Sequence, residues 1–183
     1  MRHVSPLRCA AVLLTVAALC GGLAACRTTA AEVPTWAFGV TLGEVLDKTT
    51  AQPMDALFAG RALFRIRPPR PHRAVTDYAL IAERDGGVIL GVVGWDRYSD
   101  AAACERERAA LAAALARRYG TGRPAQAADR ELMRGMPESL ATPELTVYPG
   151  WQGPLALGCA GARLLIAYWF VKPEAAPKPA GSR

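Results

Sequence analysis

The stretch Leu23-Ala24-Ala25-Cys26, closing an apolar run that begins at Cys9, limits what this chain can become more than any other feature. Arg2 and Arg8 stand before the run, and small residues stand before Cys26, which together are the anatomy of a secretory signal. The competing reading is an uncleaved membrane helix. The run is about 17 residues, the short limit for a span, and Gly21-Gly22 weakens it as a helix near its end. Of the other cysteines in this segment, Cys20 follows the bulky Leu19 and Cys9 has no apolar run before it, so cleavage falls before Cys26. Loss of residues 1–25 from the 183 leaves 158, enough for one domain and too few for two comfortable ones.

The segment resembles a bacterial lipoprotein signal with its lipobox. That resemblance implies a mature chain that starts at Cys26, with diacylglycerol on the Cys26 thiol. Each buried CH2 contributes about 0.8 kcal/mol, so several acyl chains on one cysteine make a lasting anchor. Lipoproteins with aspartate after that cysteine tend to stay in the inner membrane. Arg27 stands there in this chain, so the resemblance implies the outer membrane and its periplasmic face.

Of the 22 basic residues, Arg2 and Arg8 leave with the signal; the 20 that remain, less all 16 acidic residues, give a mature net charge of +4. This supports solubility and weak attraction to anionic surfaces, not dedicated nucleic-acid binding. The expected partners are therefore the membrane, through Cys26, and a protein or anionic component of the envelope. Cysteine bookkeeping becomes simple, because only Cys104 and Cys159 remain unassigned. Two thiols in an oxidising compartment form a structural bridge most economically, whereas a redox or metal pair lacks C-x-x-C spacing and nearby histidines. Closing a loop of that length contributes about 4 kcal/mol at most on a chain-entropy argument.

Residues 26–34 read as a lipidated tether and residues 35–171 as a single domain. The Pro/Ala/Lys-rich stretch 172–183 cannot bury a face and reads as a disordered tail. Trp36-Ala37-Phe38 suggests a short first strand. Thr41 and Glu44 have capping-box spacing, which predicts a short helix to about Lys48. Residues 62–67 alternate, with Leu63, Arg65 and Arg67 on one side and Ala62, Phe64 and Ile66 on the other. Pro68-Pro69-Arg70-Pro71 ends that strand in an extended loop. Tyr78–Ala82 and Val88–Val93 flank Asp85-Gly86-Gly87 as a hairpin.

Ser99 or Asp100 caps the longest helix, which stops at Gly120. Its apolar stripe is Ala101, Cys104, Leu111, Ala112, Leu115 and Tyr119, with Glu105, Arg106, Arg117 and Arg118 on the wet side. A helical piece is expected at 127–133, and edge strands at 145–148 and 155–157. Arg163–Val171 is apolar at both parities, which predicts a central strand covered on both sides, beside the hairpin. The fold class is α+β: a mainly antiparallel sheet of about five or six strands, with one long and one short helix packed on one face.

Enzyme signatures are sparse, and no catalytic residue, metal ligand or cofactor is assigned. After residue 25 there is one histidine, His72, and three serines, Ser99, Ser139 and Ser182. No nucleophile elbow, zincin, P-loop or Rossmann pattern occurs. A glycosidase needs only two carboxylates, for which Glu83, Asp85, Asp96 and Asp100 are candidates; turn and cap chemistry explains Asp85 and Asp100 equally well. The candidate binding patch is Arg61, Arg65, Arg67, Arg70 and Arg73, with His72 among them and no acidic residue between. Arginine forks suit phosphate or carboxylate, while a bland reading is a charged edge that resists strand-to-strand aggregation. Trp95, Tyr98 and Trp151 either form an aromatic recognition surface or close an edge of the core.

Gly39-Val40-Thr41-Leu42-Gly43-Glu44-Val45 resembles the G-x-T-x-x-[QE]-V helix start of small accessory lipoproteins of the outer-membrane protein assembly machine. Asp47-Lys48-Thr49-Thr50 stands where those proteins continue with L-G-x-P. The wider pattern of that start, a hairpin and a helix ending in Arg118-Tyr119-Gly120 resembles small exported bacterial proteins of unknown function. That group carries no named activity, and the first reading of this chain is a non-enzymatic lipoprotein that binds or scaffolds an envelope partner. The alternative is a peptidoglycan-active enzyme or an inhibitor of one.

Overall fold

The computed structural model describes residues 32–171 apart from 48, 50, 59–60, 85–86, 134–143 and 151. Cys26 and the signal, most of the tether and the 172–183 tail lie outside the described residues, as do Asp85, Ser139, Trp151 and Ser182. The strands are β1 (Gln52–Phe58), β2 (Arg61–Arg65), β3 (Asp77–Glu83), β4 (Ile89–Arg97), β5 (Arg123–Pro124), β6 (Leu145–Tyr148), β7 (Leu155–Ala160) and β8 (Arg163–Trp169). The helices are α1 (Ala101–Tyr119) and α2 (Ala127–Leu132). The class is α+β, with one antiparallel sheet of eight strands in the order β1-β2-β3-β4-β8-β7-β6-β5, not five or six. Among the described helices none is long and apolar enough to cross a membrane.

β8 lies at the centre, between hairpin strand β4 and β7, as its two-sided apolar pattern requires. Leu164, Ile166 and Tyr168 face one cluster, joined by Leu80, Val92, Leu155 and Leu157 and by Leu111 and Leu115 of α1. Leu165, Ala167 and Trp169 face a second cluster with Leu63, Ile81, Val93 and Val147. Ala125 and Met133, which bracket α2, join this second cluster, so the two helices do not share a face as expected. β6 and β7 are interior strands and β1 and β5 form the edges; β1, interrupted by Pro53 and an irregular register, carries no clean period-2 signal.

α1 follows its sequence signals. Asp100 accepts a hydrogen bond from the Ala103 N–H (2.7 Å), and Gly120 closes the helix at φ +85°. Cys104 and Cys159 are disulfide-bonded, tying the first turn of α1 to the end of β7.

Two local expectations fail because contacts with distant segments outweigh them. Trp36–Gly39 is a tight 3-10 turn rather than a strand, with Ala37 and Phe38 at φ +47° and +54°. Left-handed backbone costs a non-glycine residue about 1–2 kcal/mol, offset here by Phe38, wholly buried edge-to-face on Tyr78 (5.0 Å) and Tyr168 (5.2 Å). Residues 41–47 form no helix. Gly43 N–H donates to Ile89 O, Ile89 N–H to Glu44 O, and Leu46 N–H to Gly87 O, so this segment runs beside the turn end of the hairpin.

Candidate functional site

The candidate site grows from the loop between β2 and β3. Past Arg65, the prolines at 68, 69 and 71 keep the chain extended, and it returns through Val75 and Thr76 into β3. A groove of about 400 Å3 opens at this corner, lined by Arg65, Arg67, Pro71, Thr76, Asp77 and Tyr78. Arg65, Arg67, Arg70 and Arg73 are all exposed. Among the described residues, none of the four has a carboxylate within ion-pairing distance.

The loop is held rigid from beneath by His72, which is buried. Its Nδ1 accepts the Ala74 N–H (3.2 Å), which leaves Nε2 as the protonated nitrogen that donates to Glu32 O (2.9 Å). Burial holds the imidazole below its ordinary pKa, against the opposing pull of Glu32, so the ring is neutral at pH 7. The Tyr78 hydroxyl accepts the His72 N–H (2.8 Å) and donates to Val75 O (2.9 Å). His72 is therefore a structural pin, and among the described residues no serine or carboxylate side chain is a hydrogen-bond partner of it.

The five arginines expected to act together are divided. Arg65 and Arg67 share the groove. Arg61 sits at the far end of β2, with its guanidinium 6.0 Å over the Trp169 ring. Arg70 donates its backbone N–H to Phe38 O (2.9 Å), with its side-chain stem along Gly39. Arg73 follows His72, close enough to Tyr98 for its charge to act on that phenol. The sequence could show the arginine spacing and the extended proline stretch but not the return of the chain through residues 73–76 into β3.

Of the carboxylate candidates Asp85 lies outside the described residues, and Glu83 and Asp96 do not form a pair. Glu83 lies at the hairpin turn and Asp96 at the opposite end of β4, seven residues from Ile89, so about 20 Å of strand separates them. A glycosidase needs its two carboxyls within about 10 Å. Asp100 is occupied as the α1 cap, and Asp96 accepts the Arg97 N–H (2.6 Å). Trp95 packs with the second cluster and Tyr98 with the first, so these two belong to opposite sides of the sheet. The Tyr98 hydroxyl donates to Ala74 O (3.1 Å), and burial pushes its pKa up to about 12.

A second cavity of about 560 Å3, which sequence reasoning missed, lies at the β5–β6 edge against Tyr148, Pro149, Gly150 and Pro154. Its polar feature is the bidentate Arg123–Asp129 pair, Nη1–Oδ2 2.5 Å and Nη2–Oδ1 3.0 Å. The Gln126 N–H (2.7 Å) also donates to Asp129, and these partners, Arg123 foremost, hold the carboxyl below its usual range. Mutual satisfaction makes this pair a staple between β5 and α2. Among the described residues no group of histidines, cysteines and carboxylates is arranged to hold a metal ion. No protein-family model, no curated protein and no solved structure matches the chain.

Proposed function

We propose that the chain is a lipid-anchored lipoprotein of the bacterial envelope, held by Cys26 at the periplasmic face of the outer membrane. It acts without catalysis, binding an anionic envelope partner and so scaffolding it at the membrane. The observation that carries this reading is the pair Arg65 and Arg67, exposed, without an ion-pairing carboxylate among the described residues, and lining one groove with Thr76 and Asp77. Two unpaired guanidinium forks beside a hydroxyl supply convergent donors for phosphate or carboxylate oxygens. The signal and lipobox pattern at Leu23–Cys26 supports the anchor and the compartment.

The test is calorimetric titration of the purified mature protein with inorganic phosphate and with an acidic peptide. Saturable binding by at least one ligand, weakened tenfold or more in R65E/R67E, supports the reading; binding unaffected by those changes overturns the site. Mass spectrometry of protein from membranes tests the anchor: an intact Met1 or an unmodified Cys26 removes it.

A further inference from the structure

The anionic partner of the Arg65–Arg73 loop, we infer, is the phosphate surface of the bilayer that holds the protein; this rests on the lipid-anchor reading above. The argument starts from where the tether meets the domain. Glu32 O is bonded to His72 Nε2, and Phe38 O to the Arg70 N–H, so the first described residues of the chain lie along this loop. Cys26 precedes Glu32 by six residues, which even fully extended reach about 20 Å. The membrane surface is therefore tied close to the end of the domain that carries Arg65, Arg67, Arg70 and Arg73. Arg97 stands at the same end of the sheet, because Trp95 pairs with Asp77. The carboxylates on this side are Glu32, Asp77, Asp96, Asp100, Glu107 and Glu144, the last just before Leu145, which is in one row with Asp77; Asp100 is bound into the α1 cap, and Asp96 accepts the Arg97 N–H. The hairpin end, with Glu44, Asp47 and Glu83 beside Arg61 and Arg84, points the other way.

Docking in this orientation places the guanidinium groups at headgroup depth, where each basic residue adds to attraction within a Debye length. The acyl chains confine the domain near the bilayer, and the arginines decide which end faces it.

The experiment uses the mature, acylated protein inserted by its own anchor into vesicles of phosphatidylcholine, with or without phosphatidylglycerol, doped with a lipid bearing a photoactivatable headgroup. Labelled peptides are identified by mass spectrometry. Labelling should concentrate on residues 65–78 and increase with phosphatidylglycerol. R67E/R70E/R73E should lose about tenfold or more of that labelling, and R67K/R70K/R73K should keep most of it, since the attraction is of charge. Labelling that is spread evenly, that concentrates at the β5–β6 edge, or that ignores phosphatidylglycerol overturns the docking while the anchor stands. Protein that fails to enter vesicles refutes the anchor reading instead.

Discussion

Gly43→Ala gives opposite signs under the local and the tertiary account of residues 41–47. In the short helix that the Thr41/Glu44 spacing suggests, alanine at an interior glycine stabilises by about 0.5–1 kcal/mol. In the folded protein Gly43 has φ +87°, and a Cβ there meets the Phe170 ring at 2.8–3.2 Å. The backbone share of the cost is about 1–2 kcal/mol for a left-handed alanine. The steric share is about 1 kcal/mol, the low end for overpacking, because the contact is with the outer edge of a ring that can swing. Together they predict a loss of about 2–3 kcal/mol, which for a domain of this size lowers the melting temperature by roughly 10 °C. Urea unfolding of wild type and G43A, followed by far-UV circular dichroism, gives the difference directly. G43A/F170L should recover the steric share and leave the backbone share. An unchanged or raised stability for G43A refutes the pairing of this segment with the hairpin.

Reduction of Cys104–Cys159 should destabilise the fold by up to about 4 kcal/mol, since the bond closes a 55-residue separation. Urea midpoints measured with and without reductant check this, and coincident curves contradict a bridge that constrains the unfolded chain. His72 makes stability pH-dependent with a stated sign. Its folded pKa lies below the unfolded value of about 6.5, so the unfolded state binds the proton more readily. Stability is therefore full above that value and falls as pH drops from it toward the folded pKa. Because no other histidine follows residue 25, one imidazole resonance in an NMR titration reports it, and H72N should flatten the corresponding part of the stability profile.

Legibility in the sequence followed whether local chemistry had competitors. α1 was readable from the Asp100 cap, the spacing of Cys104, Leu111 and Leu115, and Gly120, because a helix satisfies its own backbone. The hairpin and the central place of β8 were readable because parity fixes which faces are buried. The Thr41/Glu44 signal was real but weak, and hydrogen bonds from Gly43 and Leu46 to the turn end of the hairpin displaced it. At the site, five arginines could be counted and strand alternation put Arg65 with Arg67, yet only the tertiary structure set a groove beside that pair and laid Arg61 over Trp169. The role of His72 depended on Glu32, forty residues away, and no local pattern carries that contact.

The chain by itself determined its class, its long helix and its central strand, since periodicity and caps act within short windows. Only the tertiary structure decided the number of strands, the left-handed turn at Ala37 and Phe38, and which charged groups stand together. Those outcomes depend on contacts between distant segments, where burial of Phe38 or a bond to Glu32 O outweighs local preferences of about a kilocalorie.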